Sequence, residues 1–426
     1  MVKREYPRIG ETVFEEVLDN GLHVFVFPKP EFGKCYAFFA TRYGGMDTRF
    51  QLDGKWLDTP MGIAHYLEHK MFDTPDGNAL QMLSAAGASP NAFTSTDITG
   101  YHFECTERFW ENLRTLLTFV SVPYFTKESV DKEQGIIAQE IRMYEDNPSW
   151  QVYHMLMENL YIHNPVRNSV AGSVESIAEI HAETLYHCHE AFYTPSNMVL
   201  CVAGNVDPGE VCALAREVLP GEKKPAIPRD RGGDEPAEVR APYSERTMAV
   251  SMPLFQMGIK VRPGQDGNAQ LEQRLLGDLA CEALMGSSSP LYSRLYSQGL
   301  INGSFYCGYA DDPGTAFLIA GGESQDPEGV RDAILAEADR VRREGLDEGL
   351  FQRLKKSAYG SYVRSLNSFE SLCVGQARAY FAGQDPWNFP EIYDRMDRAA
   401  AEGFLADWLR PELVTLSVIR PEEEGR

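Results

Sequence analysis

The sequence has no run of eighteen or more apolar residues, so no segment reads as a transmembrane helix. Its opening residues, Met1-Val2-Lys3-Arg4-Glu5-Tyr6-Pro7, lack the apolar stretch of a signal peptide and the acid-free, Arg- and Ser-rich character of a transit peptide. We therefore expect a cytoplasmic protein with no membrane partner. An excess of basic charge is missing too. Forty Lys and Arg against 62 Asp and Glu leave a formal net charge of −22, which argues against a nucleic-acid partner, because phosphate binding rewards clustered cations. The eight cysteines form no C-x-x-C pair, and several lie in strand-like runs such as Val199-Leu200-Cys201-Val202-Ala203. Buried free thiols, not disulfides, are the expectation.

What is present is ordinary globular chemistry, 43% hydrophobic and 24% charged, over 426 residues, which is more chain than one hydrophobic core usually serves. Leu22 to Phe27 and Cys35 to Ala40 are rich in aromatic and β-branched residues and read as paired strands. Helical periodicity follows at about 79–87, 107–119, 127–145, 149–161 and 174–191, then a strand at Met198 to Ala203. Residues 221–245 are rich in Pro, Gly and charge, as a solvated linker would be. After it the order restarts, with strands at 248–252, 256–261, 304–309, 315–321 and 413–419 and helices at about 268–285, 327–344 and 347–365. The expectation is α+β: two similar domains, 1–220 and 246–426, each a mostly antiparallel sheet packed with helices and joined by the linker.

The strongest local signal is His65-Tyr66-Leu67-Glu68-His69, preceded by Thr59 and Pro60, which can cap and open a helix. Histidines four apart lie one above the other on one helical face, the spacing two imidazoles need to grip one ion, and Glu68 points the same way. Ile63, Leu67 and Met71 form a neighbouring apolar stripe that can anchor the helix. A catalytic zinc takes three protein ligands and leaves one position open. The 127–145 helix offers Glu133 and Glu140, which share a face but stand about 10 Å apart along the rise, so only one can readily ligate. We assign Glu140 as the ligand and Glu133 as a nearby helper. At this His and Glu content H-x-x-E-H arises by chance in about 1 or 2% of chains, so structural histidines or a structural zinc are the alternative. His187-Cys188-His189 is no second site by this reasoning, because i and i+2 do not share a helical face.

These residues resemble the inverted-motif zinc peptidases of the pitrilysin and insulinase type, which include the mitochondrial processing peptidases. The resemblance spans nearly the whole chain and is most similar to short bacterial members. It rests on Gly62 to His69, on Gly87-Ala88-Ser89-Pro90-Asn91-Ala92-Phe93-Thr94-Ser95, on Glu133 with Ile137 to Ile141, on Gly172 with Glu175-Ser176-Ile177, and on Tyr193 to Met198 leading to Gly204-Asn205-Val206-Asp207. It implies Zn2+ held by His65, His69 and Glu140, Glu68 as catalytic base, and Glu133 as an auxiliary catalytic carboxylate. It also implies that Asn91, Ala92 and Phe93 begin an edge strand to which an extended peptide substrate adds, with the second domain completing the substrate chamber.

Members that complete a site in their second domain carry an Arg followed about seven residues later by a Tyr, after a Gly- and Ser-rich turn. Here Gly286 to Phe305 has no such pair, and Arg294 and Tyr296 come too early. The expected partner is therefore a related second subunit that supplies the pair, making this the catalytic chain of a heterodimer, with a homodimer as the other arrangement. A noncatalytic peptide-binding or scaffold subunit with a structural zinc is the alternative function.

Overall fold

The computed structural model describes residues 1–422. The chain forms two units: one of Met1–Ile141, Ser169–Arg231 and Val363–Ala382, the other of Arg142–Asn168, Gly232–Tyr362 and the residues from Gly383 onward.

In the first unit seven strands form one sheet: β1 (Val2–Tyr6), β2 (Glu11–Val17), β3 (His23–Pro28), β4 (Cys35–Thr41), β5 (Ala88–Thr94), β6 (Thr99–Cys105) and β7 (Met198–Gly204), in the order β1-β2-β3-β7-β4-β6-β5. The strands β3 and β4, expected to pair, do not. β7 lies between them, parallel to β3 and antiparallel to β4, and the remaining pairings are antiparallel. The reason is written in β7, where every residue of Met-Val-Leu-Cys-Val-Ala-Gly is buried. A strand apolar on both faces belongs at the centre of a covered sheet, not at its edge. One covering helix, Phe369–Ala382, packs across β7 and β4. Pro90, which has no N–H to give a ladder, sits in the edge strand β5, where that loss is tolerated.

The second unit has five strands, β8 (Tyr243–Met248), β9 (Leu254–Val261), β10 (Tyr306–Asp312), β11 (Thr315–Glu323) and β12 (Val414–Pro421), in the order β8-β12-β9-β11-β10. Here too the first strand pairs in parallel with the last, the last is antiparallel to the second, and the third and fourth form an antiparallel pair at one edge. This is the plan of β3-β7-β4-β6-β5 repeated, so the fold is two similar α+β domains of mostly antiparallel sheet.

The two units interleave along the chain, unlike the serial order expected from the linker. Helix Pro148–Leu160 packs on β9 and β12 of the second unit, while Phe369–Ala382 belongs to the first. Its fit has a local cause: a Cβ at Gly258 of β9 would stand 2.9 Å from Leu156 Cδ1 and 3.1 Å from Leu160 Cδ1, so the missing side chain lets the helix lie close. The expected helix at 174–191 is broken into Val174–Ile177 and Ala182–Phe192, and β8 begins five residues earlier than expected. All eight cysteines are free thiols. Among the described residues no helix is long and apolar enough to cross a membrane.

Part of the presumed solvated linker is firmly tied. The Glu235 carboxylate accepts the backbone N–H groups of Ile162, His163 and Asn164, each at 2.8 Å, and the Lys260 ammonium at 2.7 Å. Burial alone would raise its pKa, but Lys260 and the three amides together hold it down at about 2. An unfolded glutamate titrates near roughly 4.3. The folded value is the lower, so the contact stabilises the fold fully above about 4.3 and is lost as pH falls toward about 2. Glu235→Gln leaves Lys260 buried without its counter-charge and should cost about 3 kcal/mol at neutral pH. Thermal melts of both proteins should show a gap that is widest at pH 7 and narrows as the solution is acidified through that range.

Candidate metal centre

Helix α1 (Ile63–Met71) carries the histidines. Thr59 and Pro60 do not start it. The N-cap is Gly62 in the left-handed region at φ 89°, and Thr59 Oγ1 instead donates to the Thr48 carbonyl oxygen at 2.9 Å. The glycine is required by contact as well as by φ, because a Cβ there would lie 2.5 Å from the Ala171 carbonyl oxygen. Gly172 closes the same junction from the other side, where a Cβ would lie 2.5 Å from Met61 O. Ile63, Leu67 and Met71 are buried, as the apolar stripe requires.

His65 and His69 stand with ring centroids 4.6 Å apart. Helix α2 (Lys127–Glu145) runs past them and places Glu140 against both. His65 Nε2 is 3.7 Å from Glu140 Oε1, and His69 Nε2 is 3.5 Å from Glu140 Oε2. Atoms bound to one tetrahedral zinc at about 2.0–2.1 Å stand about 3.4 Å apart, and here one donor atom from each of the three residues lies within 4.8 Å of the other two, a cluster that could hold one ion. Glu133 is not excluded by the distance along α2. Its Oε1 lies 3.0 Å from His69 Nδ1, on the opposite edge of the same ring. With Nδ1 engaged by Glu133, Nε2 is the ring nitrogen turned toward Glu140. Burial, then the charge of His69, push His65 down to about 4, so its imidazole is neutral at pH 7. Burial also opposes the charging of His69, but the Glu133 hydrogen bond and the nearby carboxylates outweigh it and raise its pKa. Glu133 is lowered, chiefly by the hydrogen bond to His69.

Glu68 is buried on the same helix, and burial raises its pKa against the opposing pull of a hydrogen bond from Thr94. Thr94 Oγ1 donates to Glu68 Oε2 at 2.7 Å. Thr94 is the last residue of β5, so the edge strand expected from Asn91, Ala92 and Phe93 ends beside Glu68. Strand alternation sorts those three. Thr94 and Ala92 share the face of α1, while Asn91 and Phe93 point the other way, where Phe93 stacks on Phe38 at 5.8 Å. Asn91 turns back on the strand, its Oδ1 accepting the Ala92 N–H at 2.9 Å. Thr94 has no role in the sequence reading, although strand alternation two residues on from Ala92 places it on the helix side.

Residues 55–174 match the family model for insulinase, peptidase family M16, and residues 179–358 match that for the peptidase M16 inactive domain. The zinc protease YmfH of Bacillus subtilis (strain 168) is 36% identical over 428 residues, 98% of this chain and 99% of that protein. The chain belongs to the M16 peptidase family. An M16-like peptidase of known structure from Alicyclobacillus acidocaldarius matches with TM-score 0.93 at 32% identity, over 99% of this chain and 100% of that one. Pitrilysin shares the M16 fold with TM-score 0.75 at 18% identity, this chain spanning 46% of its length.

His65, His69 and Glu140 are the one such donor cluster among the described residues of this M16 chain. His189 of the second histidine pair is spent elsewhere: its Nε2 lies 3.1 Å from the Val120 carbonyl oxygen, and its ring stacks on Tyr193. In the second unit the Arg294 guanidinium meets Glu337 at 3.1 Å, and Tyr296 stacks on Tyr292. The geometry around His69 is testable. Glu133→Ala should weaken zinc binding by about 10- to 100-fold, as loss of a partner behind a histidine ligand generally does, while Glu133→Gln, whose amide oxygen can still accept the Nδ1 proton, should retain more. Competition against a chromogenic chelator measures both.

Proposed function

We propose that this chain is a zinc metalloendopeptidase that hydrolyses peptides or unfolded segments. The observation that carries the reading is Glu68, a buried carboxylate one residue from His69, tied by Thr94 to the end of an edge strand. A closed structural site has no use for such a group, whereas a hydrolytic site needs a base beside the donors and a place to lay the substrate.

In this reading His65, His69 and Glu140 hold zinc, and Glu133 fixes the ring of His69. Bound zinc polarises a peptide carbonyl and lowers the pKa of water toward roughly 7. The polypeptide adds to the outer edge of β5, main-chain hydrogen bonds along Asn91, Ala92 and Phe93 giving affinity without demanding a particular sequence. Glu68 takes a proton from the attacking water and returns it to the leaving amine nitrogen. Thr94 holds the Glu68 carboxylate in place while it does so.

A related second subunit supplies the Arg and Tyr that hold the substrate backbone and stabilise the developing oxyanion. Support comes from Arg294, the nearest cation to the family position, which is engaged with Glu337. The same observation favours the second reading, a noncatalytic peptide-binding subunit. A mixture of flexible peptides incubated with the zinc-loaded chain and followed by mass spectrometry separates the two. Cleavage is expected from the wild type, alone or once a related subunit is added, with Glu68→Gln keeping its zinc and losing turnover by at least about 100-fold. Normal cleavage by Glu68→Gln would remove Glu68 as the base. Tight peptide binding with no cleavage under any pairing would establish the noncatalytic role.

A further inference from the structure

Helix α1 carries a second pair of polar side chains, each one residue beyond a histidine. Tyr66 is fully buried, its hydroxyl donating to the Val130 carbonyl oxygen at 2.5 Å, and the backbone N–H of Gln134 acts on the same hydroxyl. Lys70 is 1% exposed. Its ammonium donates to the Asp73 carboxylate and, at 3.1 Å, to the Ser129 carbonyl oxygen. Burying an ammonium is costly, and an apolar side chain would fill the same space without that cost. Something other than core packing is served.

Both groups reach the first turn of α2, and both grip its main chain. A backbone carbonyl cannot swing between rotamers as a side-chain acceptor can, so these bonds fix the helix itself. The pairs 65/69 and 66/70 are both four apart and are turned from each other by about 100° around the axis, so one pair can face the metal while the other braces. Within each pair the contacts run antiparallel: His65 meets Glu140 and His69 meets Glu133, while nearer the start of α2 Tyr66 meets Val130 and Lys70 meets Ser129. A slip of α2 by one residue would move Glu140 about 1.5 Å along the axis and turn it by about 100°, out of reach of both imidazoles.

We propose that Tyr66 and Lys70 are positioning residues for the metal, two struts that set the spacing and register of α1 against α2 and thereby hold Glu140 at the histidine pair. The proposal rests on the zinc reading above and adds to it the residues that fix the site's dimensions.

The test uses the full chain and its Tyr66→Phe and Lys70→Met variants. Zinc affinity is measured by chelator competition, the visible absorption of the cobalt-loaded proteins reports coordination geometry, and melting of the metal-free proteins reports folding. Each variant should bind zinc about 10- to 100-fold more weakly and show an altered cobalt spectrum, with a smaller zinc-induced rise in melting temperature than the wild type. Tyr66→Phe removes a single oxygen and keeps the test decisive should Lys70→Met fold poorly. Wild-type zinc affinity and an unchanged cobalt spectrum in Tyr66→Phe would overturn the proposal, whatever happens to metal-free melting, since a purely structural role lowers stability without touching the metal. A wild-type chain that binds no zinc would instead bring down the metal reading itself, and the proposal with it.

Discussion

The arrangement turns on one imidazole ring. Glu133 and Glu140 stand seven residues apart on α2, about 10 Å along the helix, too far to meet at a single point. The His69 ring lies between them, with Nδ1 3.0 Å from Glu133 and Nε2 3.5 Å from Glu140. A ring with a nitrogen on each of two edges converts the separation of the carboxylates into a division of labour. One meets Nδ1, and the other stands with His65 on the Nε2 side. Desolvation favours the neutral form of His65, the form an imidazole must have to bind a metal.

Much of the first unit serves to hold two helices and one strand in that relation. Ile63, Leu67 and Met71 seat α1, the junction of Gly62 with Ala171 and Gly172 sets where the helix begins, and Thr94 ties the edge strand to Glu68. The second unit repeats the strand order of the first but carries no comparable donor cluster among the described residues. One folding plan is used twice, and the candidate donor cluster lies in one copy. Because Pro148–Leu160 covers the second sheet and Phe369–Ala382 the first, each sheet borrows a covering helix from the opposite half of the chain. Neither half of the sequence has its full covering layer without the other.

The two-domain α+β plan and the grouping of His65, His69 and Glu140 are legible in the sequence, because helical spacing and strand alternation are local properties. What escaped depends on contacts distant in sequence. The insertion of β7 between β3 and β4 joins residues more than about 150 positions apart, and no periodicity reports which strand becomes the neighbour. The close fit of Pro148–Leu160 on β9 depends on Gly258, whose missing side chain has meaning only once Leu156 and Leu160 are laid over it. Thr59 and Pro60 looked like a helix start, yet the helix waits for Gly62, because the close approach of Ala171 is invisible along the chain. The rise between Glu133 and Glu140 is readable along the helix, but no local pattern shows that the His69 ring stands between them.

The most direct measurement is an anomalous-scattering difference map at the zinc edge from crystals of the zinc-loaded protein. The account predicts one strong peak per chain, between His65, His69 and the carboxylate of Glu140, with Glu133 on the far edge of the His69 ring and not ligating. A peak elsewhere, a site closed by a fourth side chain, or no peak at all would contradict it.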